Sequence, residues 1–129
     1  MKLQADAPQA TSITAYGPGW VQLPGPVRME GSVILGSEGL QQAWDCPAFE
    51  ALQAAHLQHL AALAAEHGAQ VVLLGSGQRT RFPPAAWLRP FLQQQLGLEA
   101  MDTIAACRTF NVLAGEGRKV LAALIQEAQ

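Results

Sequence analysis

Two groups of residues in this chain have the types and the spacing for chemistry. The first lies in LEAMDTIAACRTFNVLA, Leu98 to Ala114, and comprises Asp102, Thr103, Cys107, Arg108 and Asn111. With Thr103 at 0° on a helical wheel, Cys107 falls near 40°, Asn111 near 80° and Arg108 near 140°, while Ala106, Phe110 and Leu113 gather between about 280° and 340°. Thr103, Cys107 and Asn111 therefore form a stripe beside an apolar face. A cysteine about one turn into a helix, followed by an arginine, is where dipole and charge favour a thiolate nucleophile. Such a nucleophile needs a base, and no histidine lies nearby in sequence. The plainer reading, which we favour, makes Cys107 a buried packing residue and gives Thr103 and Asn111 local backbone groups to satisfy.

The second group is Gly75-Ser76-Gly77, which follows the apolar run Val71-Val72-Leu73-Leu74. Glycines after a buried strand let backbone N–H groups approach an oxyanion, as in phosphate-cradling loops. The signal is incomplete: there is no GxGxxG, no GK[ST], and Pro83-Pro84 follows where a helix N-terminus is wanted. Arg79, Arg81 and Arg108 could add positive charge if the loop folds toward the Cys107 helix. Otherwise the loop is a tight turn with solvated arginines.

The remaining chemistry-bearing types make no site. His56 and His59 are spaced i, i+3, but the wheel puts His56 and His67 inside an apolar face, and the nearby carboxylates are only Glu50 and Glu66, so no metal is expected. His56 is expected as a core or interface histidine. Trp44 should anchor the loop entering the long helix, while Trp20 or Trp87 would be buried in a homo-oligomer, if one forms. No paired carboxylates and no Ser-His-Asp grouping are present. Neither catalysis nor a cofactor is indicated, and Asp102 reads as easily as a helix cap as a general base.

The elements that must position these groups can be read from the pattern. Residues 1 to 10 form a polar arm, and residues 11 to 129 a single domain, long enough to bury a core without staples. From Thr11 to Leu35, short β-like runs are cut by Gly17-Pro18-Gly19 and Pro24-Gly25-Pro26, which predicts antiparallel strands. Val33-Ile34-Leu35 suits a buried strand, and a short strand is expected around Gln41 to Trp44. Ala48 to Gly68 predicts a long helix with Phe49, Leu52, Leu60 and Leu63 on its buried face. Val71 to Leu74 predicts a central strand. A helix is expected between Pro84 and Gly97, kinked or started late by Pro90. Leu98 to Met101 predicts a strand capped into a helix from Thr103 to Leu113, and Glu116 to Glu127 predicts a final amphipathic helix burying Val120, Leu121, Leu124 and Ile125. The expected fold is three-layer α/β: a mixed sheet with parallel central strands, helices packed on it, and an antiparallel β-rich N-terminal segment.

Bulk composition narrows the classes. Charged residues are 14% of the chain and the net charge is −2, so no broad basic surface is available for nucleic acid. No apolar run approaches a membrane span, no export signal is evident, and the two cysteines lack metal-type spacing. A cytoplasmic protein with reduced thiols is expected.

The ordered set ITAYGPG, VILG, Trp44-Asp45, VVLLGSGQRTRFPP and GLEAMDTIAACRTFNVLAGEGRKVLAAL resembles a small domain family of formerly unknown function. That family includes a mitochondrial complex I assembly factor, an adipogenesis-associated protein and many short bacterial members, and the likeness runs from about Thr11 to Ile125. Positions matching its motif are Gly75, Gly77, Pro83, Asp102, Thr103, Cys107, Arg108, Asn111, Glu116 and Arg118. Ser76 stands where threonine is usual, Ile104 where a small residue is usual, and Pro90 interrupts a helix that is normally continuous. The resemblance implies a three-layer α/β fold, no established reaction, and work alongside partner proteins. The leading expectation is thus a non-enzymatic interaction or assembly-factor-like module. The alternative is an anion or nucleotide-like ligand at Gly75, Ser76, Gly77, Asp102, Thr103, Cys107, Arg108 and Asn111.

Overall fold

The computed structural model describes residues 11–127; the expected arm at residues 1–10 lies outside them. Strands β1 (Ala15–Gly17), β2 (Trp20–Leu23) and β3 (Val27–Glu30) form a small antiparallel sheet. Its turns fall at the glycine–proline breakers, because those residues supply the bends that strands cannot. A second, five-stranded sheet contains β4 (Val33–Gly36), β5 (Gln41–Ala43), β6 (Val71–Gly75), β7 (Leu98–Met101) and β8 (Val120–Leu124), in the order β5-β4-β8-β6-β7. β6 runs parallel to β7 and to β8, while β4 is antiparallel to β8 and β5.

Strand alternation divides the core into two layers. Ile34, Val72, Leu74, Leu121 and Ala123 face helix α1 (Ala54–His67), together with Trp44, Cys46 and Phe91. Val33, Leu35, Leu73, Ala122 and Leu124 face helix α3 (Thr103–Gly115) and the small sheet, whose Val21 and Leu23 join Ile13, Cys107 and Phe110. The result is the expected three-layer α/β architecture, with a mixed sheet and an antiparallel β-rich N-terminal segment.

The C-terminal segment departs from expectation. Val120 to Leu124 is not a helix but the central strand β8, buried along its whole length. Its Ala and Leu composition and its i, i+1, i+4, i+5 apolar spacing suit a helix. A five-residue run that is apolar on every side is also what a strand covered on both faces requires. Ladders to β4 on one side and β6 on the other decide the matter, and they lie far away in sequence. Ala122 and Ala123 keep this strand thin, which lets α3 and α1 close on the sheet from opposite sides.

The long helix starts later than expected. Phe49–Ala51 is a separate 3₁₀ turn, and α1 begins at Ala54. The Gln53 N–H donates to Nδ1 of His56 at 2.9 Å, so the imidazole takes an orphan donor at the helix start. In neutral His56 the ring proton then sits on Nε2, 3.2 Å from the Asp45 carbonyl oxygen and 3.2 Å from its Oδ1. His56 is therefore a half-buried cap rather than a core residue, and it meets the Trp44 ring edge-on at 5.7 Å. His67, expected on the buried face, is exposed in the last turn, and Leu57 takes a place in that face. Trp44 is buried beside the entrance of α1, as expected. Trp87 packs on the same layer, and Trp20 lies under the Arg28 guanidinium at 4.0 Å.

Pro90 acts as foreseen: a 3₁₀ turn over Ala85–Leu88 precedes helix α2 (Arg89–Leu92), so the proline occupies the first helical turn, where its missing N–H costs little. The helix is only four residues long, and Phe91 is the side chain it buries.

Ala123 is fully buried on the sheet face that packs against the α1 layer, so Ala123→Leu should overpack that site and lower stability by about 1–3 kcal/mol in urea unfolding. Val112→Leu, at an exposed position on α3, changes it by less than about 0.5 kcal/mol.

Candidate functional site

The carboxyl ends of β6 and β8 and the amino end of α3 converge on one side chain, Thr103. Its hydroxyl donates to the Ile125 carbonyl at 2.7 Å and accepts from the Gly77 N–H at 2.9 Å, while its own N–H donates to the Gly77 carbonyl at 2.9 Å. Asp102, one residue earlier, is the N-cap: its Oδ1 accepts from the Ala105 N–H at 2.8 Å. The approach is close enough to dictate Gly75. A Cβ there would lie 3.0 Å from Thr103 Oγ1 and 3.1 Å from both Thr103 Cα and Leu124 Cδ2, so a side chain would push the helix off the sheet.

The loop after β6 is held by a second hub that the sequence did not reveal. Glu127 Oε1 accepts from the Gln78 N–H at 3.0 Å, and its Oε2 accepts from Arg81 Nη2 at 2.6 Å and the Phe49 N–H at 3.4 Å. Arg81 also reaches Glu50 Oε2 and the Ser76 carbonyl, and its guanidinium lies over the Phe49 ring at 5.0 Å. Burial raises the Glu127 carboxyl pKa, but the Gln78, Arg81 and Phe49 hydrogen bonds and the Arg81 charge outweigh it and leave the carboxyl below its ordinary value. At Gly77, with φ +102, a Cβ would collide with the Glu127 carboxylate and the Arg81 guanidinium. Arg81 adjoins the loop in sequence, whereas Glu127, 46 residues away, carries no local signal.

The eight residues singled out from the sequence fall into two sets. Gly77, Asp102, Thr103 and Cys107 line one cleft of about 340 Å³. Gly75 and Ser76 pack behind it: Ser76 is fully buried, its N–H donates to the Met101 carbonyl, and its Oγ accepts from the Arg81 N–H. Arg108 is exposed, and its Nε donates to the Tyr16 hydroxyl at 3.2 Å. Asn111 serves the backbone of Ile13, with Oδ1 accepting its N–H at 2.8 Å and Nδ2 donating to its carbonyl at 2.9 Å, in the manner of a strand partner. The loop amides that an anion would need are thus directed at Thr103 and Glu127.

Cys107 is 1% exposed at the base of the cleft. Burial first, and the Asp102 charge second, push its thiol up to about 12. This is the packing role favoured for Cys107: the sulfur is desolvated, and the exposed Arg108, with its Nε on the Tyr16 hydroxyl, does not offset that. Cys46, in the opposite core layer, is pushed up to about 11 by burial and the Asp45 charge. Both cysteines are free.

The other walls of the cleft are Ile104, Ile125 and the β1–β2 turn, Gly17-Pro18-Gly19. That turn was legible as a turn but not as part of a site. Among the described residues, no group of three or more histidine, cysteine, aspartate or glutamate side chains could hold a metal, and no helix is long and apolar enough to cross a membrane.

The profile of the family described as "Protein of unknown function (DUF498/DUF598)" matches residues 13–125. The chain is similar to the Danio rerio protein named NADH dehydrogenase (ubiquinone) 1 alpha subcomplex assembly factor 3, with 30% identity over 123 residues, 95% of this chain and 68% of that one. The Bos taurus protein of the same name is 43% identical over 56 residues, 43% of this chain, and the match spans only 30% of the bovine length. A crystal structure of a Bordetella parapertussis protein aligns with a TM-score of 0.82 and 36% identity, covering 94% of this chain and 99% of that one. The solution NMR structure of a Bordetella pertussis protein, a Mth938-like domain, aligns with a TM-score of 0.81 and 31% identity, covering 100% and 94%.

Two measurements check this geometry. Neither thiol should react with a disulfide reagent at pH 8 in the folded protein, and both should react on unfolding; fast native labelling of Cys107 would contradict its burial. Because the folded pKa of Glu127 is depressed, its stabilisation is full above the ordinary carboxylate range and is lost as pH falls through the folded value. Glu127→Gln should therefore cost about 1–3 kcal/mol at pH 7. The gap from wild type should narrow as pH falls below the ordinary carboxylate range; a gap that stays constant in acid would refute the assignment.

Proposed function

Since the chain belongs to the DUF498/DUF598 family, we propose that it works through protein contacts, as an assembly-factor-like module and not as a catalyst. The observation that carries this reading is that the chemistry-bearing residues are committed to holding the fold. Cys107 is buried with its thiol raised, the Gly77 and Gln78 amides serve Thr103 and Glu127, and Asn111 serves Ile13. The likeness to the Danio rerio assembly factor across 95% of this chain supports the same view. Two free, buried thiols support work in a reducing compartment, which we take to be the cytoplasm.

A second reading places a small ligand in the cleft, whose volume of about 340 Å³ is favourable. It lies within the roughly 300–1,000 Å³ typical of ligand sites. Its anionic form is opposed by the lining, in which Asp102 and Glu127 are the charged residues.

The test is crosslinked affinity capture from native cells, run beside a thermal-shift panel of phosphate and nucleotides. The interaction reading expects a partner recovered in near-stoichiometric amount with folded bait, none with unfolded bait, and no thermal shift. Phosphate or a nucleotide raising the melting temperature by several degrees, with no partner recovered, would overturn it.

A further inference from the structure

The cleft beside α3 combines two features that ask for different things from an occupant. Its base is apolar: Ile104 at the first turn of α3 is 50% exposed, above Cys107 and Ile125. Covering such a half-wet side chain is favourable at about 25 cal/mol per Å². Its charged edge is acidic. Asp102 uses Oδ1 for the helix cap, and Oδ2 has no hydrogen-bond partner among the described residues. Glu127 shares the single Arg81 guanidinium with Glu50, so that cluster carries a net negative charge as well. The lining itself offers an anion no cation, since Arg108 lies outside it with its Nε on the Tyr16 hydroxyl, and a purely apolar occupant would strip water from Asp102 without replacing it. An apolar group with a cation beside it meets both demands.

The wall opposite α3 is the tip of a hairpin, Gly17-Pro18-Gly19, whose backbone is held in the small sheet, with Gly17 paired to Trp20 and the Gly19 carbonyl accepting from the Gly31 N–H. The volume, about 340 Å³ and at the lower end of ligand sites, holds one or two side chains of a peptide. We propose that this cleft docks a peptide segment of a partner protein, with an apolar side chain on Ile104 and an adjacent lysine or arginine on Asp102. The proposal rests on the interaction-module reading and gives it a location and a partner chemistry.

The test is an NMR titration of the whole chain with two capped tripeptides, Gly-Phe-Lys and Gly-Phe-Glu. Saturable shifts are expected at the Gly17, Gly19, Ile104 and Gln126 amides, with the lysine peptide binding about fivefold more tightly, the scale of one exposed ion pair. Asp102→Asn keeps a good helix cap and should bring the two peptides within about twofold, a gap too small for an ion pair. Ile104→Ser, at an exposed position, should weaken both. No saturable shift at those amides, equal affinity for the two peptides, or a lysine preference that survives Asp102→Asn would each overturn the proposal. A partner captured equally well by the Asp102→Asn and Ile104→Ser baits would sink this site and leave the interaction reading standing. Peptide binding with no partner captured would do the reverse.

Discussion

The buried hydroxyl of Thr103 joins three pieces of chain that are distant in sequence: the loop after β6, the start of α3 and the end of β8. Each of those pieces ends with backbone groups that regular structure cannot satisfy, and the one hydroxyl serves as donor to one and acceptor to another. Leaving a single buried backbone group unpaired costs about 1–3 kcal/mol, so a residue of the same shape without the oxygen would not do. Gly75 follows from this junction, since the helix start must lie within van der Waals reach of the strand. Asp102 follows as well: as a cap it turns the chain from β7 into α3, so that Thr103 arrives where both partners are waiting.

The same junction occupies groups that a ligand or a reaction would use. A strand-end glycine loop beside a helix N-terminus is a common setting for anion binding, because free amides and a helix dipole point the same way. Here those amides already have acceptors in a threonine oxygen and a glutamate carboxylate, so the protein supplies its own negative group in the position an anion would take. Of the arginines that could have offered positive charge, Arg81 is held between Glu127 and Glu50 and Arg108 donates to the Tyr16 hydroxyl. What remains open in the cleft is the apolar side chain of Ile104 beside the carboxylates of Asp102 and Glu127.

Much of the local structure was legible because it depends on near neighbours. The strand at Leu98–Met101, the Asp102 cap, the buried strand from Val71, the late start imposed by Pro90 and the hairpin breaks all follow from steric and hydrogen-bonding rules that act over a few residues. The misreading of Val120–Leu124 has the opposite cause. Alanine and leucine favour a helix locally, but two ladders to distant strands and a helix layer on each face outweigh a propensity difference of a few tenths of a kcal/mol per residue. His56 was misplaced for a related reason, since a wheel begun at Phe49 assumes a helix that in fact starts at Ala54.

By itself, then, the order of residues determined the class of fold, the punctuation of its elements and the group of positions from Gly75 to Gly77 and from Asp102 to Asn111 around which the chain is built. The three-dimensional arrangement decided what those positions do. Burial fixed Cys107 in its packing role, Thr103 took the Gly77 N–H and Glu127 that of Gln78, and Asn111 turned to the backbone of Ile13. Desolvation and hydrogen-bond partnership depend on which surfaces meet, and at this junction and at Asn111 the partners are separated by between 22 and 98 residues.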